Sequence, residues 1–182
     1  MKKYTLISLL AFVLALVNMH HANAQKFSKL DVSPMDAASY PSDYKNSLKE
    51  IKIIYSRPQL KERELATLAK YDEVWRTGAN EANELTLYND MYFGNTLVKA
   101  GTYTFYTIPG EKEWTAIINS DLNVWGAYFY NEKNDVARLT VPVTTDNESL
   151  EAFSIVFEGN MDSVTMHLGW GNVRLAFPFT KK

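Results

Sequence analysis

The sequence predicts an all-β domain, an antiparallel β-sandwich or jelly-roll-like fold with one short helix. Short runs rich in Val, Ile, Thr, Tyr and Phe alternate apolar and polar residues along most of the chain, the two-residue period of half-buried strands. Clusters of Gly, Pro, Asn and Asp separate these runs, as turns separate the strands of a sandwich or barrel. One stretch alone shows helical spacing, Leu60–Tyr71, where Leu65, Leu68 and Ala69 recur, and it is short.

The first 24 residues stand apart from this pattern. Lys2 and Lys3 precede an uncharged apolar run, Thr5–Val17, and Ala22-Asn23-Ala24 follows. Positive start, apolar stretch and small-x-small site, in that order, predict a secretory signal peptide cleaved after Ala24. The run is too short for the roughly 20 residues that span a bilayer. The protein is therefore expected to be exported, to a periplasm or to the extracellular space. Residues 25–182 are expected to form a single β domain without membrane insertion. A chain of this size buries roughly 70% of its unfolded surface, so it can fold without staples. It has no cysteine to supply them.

The strands are expected in this order: an edge strand at Phe27–Val32, then Glu50–Ser56, with Ile51, Ile53 and Tyr55 inward, and Glu84–Tyr88. Thr102–Ile108 and Glu113–Asn119 make a hairpin around Pro109-Gly110-Glu111-Lys112, apolar on both faces like a covered strand pair. Val124–Tyr130, Val136–Val143 and Leu150–Glu158 follow. A final hairpin turns at Gly171-Asn172. It sets Trp170 opposite Val173, Leu168 opposite Leu175, Met166 opposite Phe177 and Val164 opposite Phe179, with His167 and Arg174 on the outer face.

Composition removes several functions. Without the leader, 17 basic residues face 21 acidic ones, a net charge of −4. No basic cluster offers the footprint that nucleic acid phosphates require, so no nucleic-acid partner is expected. His167 is the one histidine after Ala24. That inventory is too small for an ordinary zinc site, and the absence of cysteine excludes a thiol nucleophile. Asn131–Asp135 and Asp146–Glu148 are oxygen-rich, but Asn and Asp are also common turn formers. No P-loop, dinucleotide-binding glycine motif or GxSxG occurs. No metal and no cofactor are expected. The sequence sets no oligomeric state.

The segment Tyr71–Asn83 (YDEVWRTGANEAN) lacks alternation and gathers aromatic, cationic, amide and carboxylate groups. Two readings fit it. In one, Arg76 and Glu81 pair to tie a long connection onto the sheet, Trp75 anchors in the core and Asn80 caps a turn. In the other, the planar donor fork of Arg76, with Trp75, Asn80 and Glu81, holds a carboxylate, phosphate or sugar. Arg57, at the end of a neighbouring strand, would join them.

The motifs Tyr55-Ser56-Arg57-Pro58, Val74–Ala82 (VWRTGANEA), Ala100–Thr104 (AGTYT), Ile108–Trp114 (IPGEKEW) and Trp125-Gly126-Ala127-Tyr128 resemble the domain-of-unknown-function family 2911. The resemblance extends from about Met35 to about residue 180. It implies that family's fold and an exported bacterial setting, with no activity attached. The chain departs from the family between Lys61 and Asp72, with Glu62, Ala66-Thr67 and Lys70 where relatives tend to carry glycines and a proline.

Three functions fit these residues. The first is a binding module for a glycan or small polar ligand, using Arg57, Trp75, Arg76, Asn80, Glu81 and the ring of Trp125. The second is a structural or assembly protein of the cell envelope. The third is a carboxylate-dependent hydrolase with Glu81 as its catalytic group, partnered by Glu84, Asp72 or Glu73. Glu81 and Glu84 would face opposite ways if one strand carried both.

Overall fold

A computed structural model describes residues 25–160 and 162–182. The expected leader and its cleavage point lie outside the described residues. Residues 25–30 have no regular secondary structure and are exposed. Ten strands follow: β1 (Met35–Tyr40), β2 (Ile51–Ser56), β3 (Asn83–Leu87), β4 (Met91–Phe93), β5 (Thr96–Val98), β6 (Gly101–Ile108), β7 (Glu113–Asn119), β8 (Asp135–Pro142), β9 (Thr144–Gly159) and β10 (Ser163–Lys181). A single helical turn, α1 (Leu65–Leu68), lies between β2 and β3.

The strands form two sheets. One has six strands in the order β1-β2-β3-β6-β7-β8, the other four in the order β5-β4-β10-β9. Every pairing is antiparallel. One apolar cluster lies between the sheets. Ile51, Ile53, Leu85, Phe105, Trp114 and Ile118 enter it from one side; Phe153, Ile155, Met166, Leu168, Phe177 and Phe179 enter from the other. This is the all-β sandwich that alternating patterns produce when each sheet turns one face inward. Tyr55 also links the sheets by hydrogen bonds: its hydroxyl accepts the Ile155 N–H (3.1 Å) and donates to the Ile155 carbonyl (3.4 Å).

The β6–β7 pair is buried on both faces, as its two apolar sides required: Tyr106 and Ile117, opposite each other on the outer face, are buried. His167 lies on the outer side of β10, with Nε2 3.6 Å from Glu158.

Four expectations are corrected. The chain does not turn back at Gly171-Asn172: β10 runs straight through, paired with β9 on one side and, at its end, with β4 on the other. The buried positions shift from even (Val164, Met166, Leu168, Trp170) to odd (Leu175, Phe177, Phe179). Register breaks on both sides of Gly171 mark a bulge there, and Gly171 has a φ of 55°. A bulge with a left-handed glycine flips the inward face as a two-residue turn does, so parity alone did not separate them. Second, Val124–Tyr130 is a run of turns. Asn123 (φ 57°) and Gly126 (φ 63°) break the extended chain, leaving Trp125 one bridge, to Glu81. Third, Phe27–Val32 is not a strand: its apolar residues, Phe27, Leu30 and Val32, do not keep a two-residue period. Fourth, the helix is limited to Leu65–Leu68. Lys61 and Glu62 are left-handed and Glu64 is extended, and no side chain caps the turn.

Candidate functional site

The connection from α1 to β3 is bound to the large sheet by its own backbone. Trp75 and Thr107 exchange N–H···O bonds of 2.7 and 3.0 Å at the end of β6. Trp75 thereby turns inward. Its indole stacks on Trp170, with centroids 5.6 Å apart and planes 9° apart, and meets Trp114 and Phe153 edge-on. Such aromatic pairs contribute beyond their buried area. Trp75 is a core anchor.

The next residue points away from that core, as alternation along an extended segment requires. Arg76 is half-buried. Among the described residues it forms no ion pair, and its Nε is buried without a hydrogen-bond partner. The expected pairing with Glu81 does not form. A buried guanidinium N–H left unpaired is costly, and the strap around it is strained as well. Thr77, β-branched and fully buried, has a φ of 58°, a conformation such residues avoid at a cost of order 1–3 kcal/mol. Thr77 Oγ1 hydrogen-bonds the Trp75 carbonyl (3.2 Å) and Thr107 Oγ1 (3.0 Å), and Asn83 Nδ2 donates to the Thr77 carbonyl (2.7 Å). A Cβ on Gly78 would lie 2.9 Å from the Ser56 carbonyl oxygen, so glycine is required where the strap crosses β2. These contacts hold Arg76 in place from both sides in sequence.

Arg76, Trp75 and Leu68 are shared by two concavities. One, of about 470 Å³, is also lined by Thr67, Lys70, Glu73 and Tyr128. The other, of about 330 Å³, is also lined by Lys61, Arg63 and Trp170. Both are within the roughly 300–1,000 Å³ of small-molecule sites.

The other singled-out residues divide. Arg57 is committed to the scaffold: it donates to the Phe153 carbonyl (3.0 Å) and Ser154 Oγ (2.8 Å) and pairs with Asp36 (3.0 Å). Asn80 is a left-handed turn residue (φ 61°) whose carbonyl accepts the Gly126 N–H (3.0 Å). Glu81 is exposed and bridges to Trp125, which is 54% exposed. Glu81 precedes β3, so the alternation expected to separate it from Glu84 does not apply; both line a third concavity of about 230 Å³ with Thr104 and Asn123. Tyr128 and Phe129, beyond Trp125, are 77% and 78% exposed. Beyond them Tyr130 fixes the loop: its hydroxyl donates to Asp135 Oδ2 (2.7 Å) and accepts from Arg138 Nη2 (2.7 Å). Burial first, then the bond to Asp135, pushes this phenol well above the ordinary tyrosine range.

Lys61, Arg63, Lys70 and Trp170 were not singled out as site residues from the sequence. The first three lie inside the stretch read as a helix, where charges look like a solvated face. Lys61-Glu62-Arg63 was the available signal. Among the described residues, no group of three His, Cys, Asp or Glu side chains stands where it would hold a metal ion.

The fold and this site define a two-sheet sandwich with a polar strap across one end of its core. The family described as a protein of unknown function (DUF2911) matches residues 33–179, and the chain belongs to that family. No curated protein and no solved structure matches it.

Proposed function

We propose that this protein is an exported binding module whose small polar ligand seats against Arg76. One observation carries the reading. A half-buried guanidinium is held by a strained backbone between two concavities and has no hydrogen-bond or ion-pair partner among the described residues. Strain and an unsatisfied charge-bearing group at one position are features of ligand sites, and arginine is suited to carboxylate and phosphate. The exposed ring of Tyr128 shares one concavity with Arg76, which suits a sugar or another flat polar body. The leader pattern of residues 1–24 supports export, with a mature N-terminus at Gln25.

The test is thermal denaturation against a panel of glycans, sugar acids and small carboxylates, for wild type and Arg76→Gln. A panel member should raise the wild-type Tm in proportion to the logarithm of its concentration and leave the variant unmoved. Equal shifts in both proteins would contradict the reading. Export is tested by N-terminal sequencing of the protein recovered outside the cytoplasm, which should begin at Gln25.

A second reading has its own support. Glu81 and Glu84 line one concavity, and a pair of carboxyl groups in one cleft is the equipment of glycoside hydrolysis. Loss of turnover on a glycan panel in both Glu81→Gln and Glu84→Gln would favour it. Unchanged turnover in both would remove it.

A further inference from the structure

We propose that the cavity between Lys61, Arg63 and Arg76 takes a small organic anion, a single carboxylate, sulfate or phosphate group carried on an apolar body. This rests on the reading of Arg76 as the ligand-binding cation and narrows it to one of the two concavities and one class of ligand.

The charge comes first. Three cationic side chains line this cavity, and no carboxylate does. Among the described residues, none of the three forms an ion pair. Arg63 is held by backbone carbonyls: Nε donates to Leu60 (2.8 Å) and Nη2 to Gln59 (2.8 Å), which leaves Nη1 for a ligand. The Glu151 carboxylate comes near the rim but accepts the Lys61 backbone N–H (2.7 Å). Lys61 and Glu62 are both left-handed, with φ of 49° and 62°, a backbone that any residue but glycine adopts only against resistance. An uncompensated cationic concavity with apolar walls concentrates anions, and guanidinium groups bind oxyanions through two parallel N–H···O bonds.

The walls define the rest of the ligand. Pro58, Leu68, Trp75 and Trp170 supply apolar surface. Among the described residues, the one side-chain hydroxyl is that of Ser33, and no carboxamide lines the cavity. A polyhydroxylated sugar ring would leave most of its hydroxyls without acceptors there, which is costly. An aryl or alkyl body has nothing to leave unsatisfied. The adjoining concavity differs, since Thr67, Glu73 and Tyr128 offer acceptors. The two sides of Arg76 therefore select different chemistry, and the Lys61–Arg63 side selects an anionic group with an apolar body.

The test is isothermal titration of the purified protein with phenylacetate and phenyl phosphate. Phenylacetamide serves as the uncharged control, inorganic phosphate as the anion without a body, and glucuronate as the anion on a sugar. Both phenyl anions should bind saturably. Phenylacetamide, phosphate and glucuronate should each bind at least tenfold more weakly. Arg63→Gln, at the exposed rim where folding is not at risk, and Arg76→Lys, which keeps the charge, should each weaken phenyl-anion binding about tenfold, while Lys112→Gln, whose side chain does not line the cavity, changes nothing. Phenylacetamide binding as tightly as phenylacetate would overturn the proposal, as would binding indifferent to Arg63. Arg76-dependent binding of glucuronate alone would overturn it while leaving the binding-module reading intact. No Arg76-dependent heat from any titrant would overturn both.

Discussion

Replacing Gly171 by alanine tests the bulge that lets β10 serve the core along its whole length. Gly171 is buried and left-handed (φ 55°). A Cβ built there would have Leu60 Cδ1 at 3.7 Å as its nearest heavy atom. That is ordinary contact, so the cost is torsional. Placing an L-residue in the left-handed region costs roughly 1–2 kcal/mol. The stiffer unfolded chain of alanine offsets about 0.4–1 kcal/mol of this. The net expectation is a loss of about 1 kcal/mol, a Tm lower by about 2–4 °C for a domain of this size. Urea unfolding followed by far-UV circular dichroism measures it, with m unchanged because the surface exposed on unfolding is unchanged. Gly78→Ala is the comparison. Its Cβ would be 2.9 Å from a backbone oxygen of β2, so its cost must exceed that of Gly171→Ala. Unchanged or increased stability in Gly171→Ala would refute the left-handed bulge. A loss above about 3 kcal/mol, beyond any torsional cost, would refute the open space beside it.

Three further outcomes follow from the same geometry. Arg57→Gln should lower stability by about 1–2 kcal/mol, through lost bonds to the Phe153 carbonyl and Ser154 and the Asp36 pair, yet leave ligand affinity unchanged; a weakened affinity would return Arg57 to the site. Asp90 accepts the Ala100 N–H and then the Lys99 ammonium, which hold its carboxyl below the usual aspartate range. A lowered native pKa contributes stability above about pH 4 that is lost as pH falls through the native value, so Asp90→Asn should flatten the acid limb of the stability curve; an unaltered limb would contradict this. Burial first, then the charges of Asp121 and Asp135, pushes the Tyr106 phenol up to about 12. A raised native pKa contributes stability present below about pH 10 and lost as pH rises towards about 12, a swing of roughly 3 kcal/mol. Tyr106→Phe should make the alkaline fall shallower, with Tyr130 supplying the remainder, read by denaturant unfolding across the alkaline range; a fall as steep as in wild type would contradict the assignment.

Strand positions were legible wherever one face of a segment is buried. Ile51, Ile53 and Tyr55 in β2, and Trp114, Ala116 and Ile118 in β7, point inward as alternation requires. The errors share one cause: parity records which face a residue takes, and not how the chain reaches it. The switch from Trp170 to Leu175 fits a turn and a bulge equally, and only the long-range pairing of β10 with β9 separates them. Val124–Tyr130 reads as a strand because its residues favour strands, whereas Asn123 and Gly126 direct them into turns and leave Tyr128 and Phe129 in solvent. The site was half legible. Arg76 stood out because no packing pattern absorbed it, and Trp75 beside it proved to be core. Arg57, Asn80, Glu81 and Trp125 did not join it as one constellation. Lys61, Arg63 and Trp170 were hidden because their meeting depends on α1 being a single turn and on β9 carrying the opposite sheet past Leu60.

The claim on which the rest depends is that Arg76 is a cation kept without a partner for a ligand. The protein has five arginines, so their Nε–H signals can be resolved by two-dimensional NMR and assigned by Arg76→Lys. Titration with phenyl phosphate should shift the Arg76 Nε–H signal and leave the Arg57, Arg138 and Arg174 signals in place. An Arg76 signal that stays fixed at saturation would contradict the account.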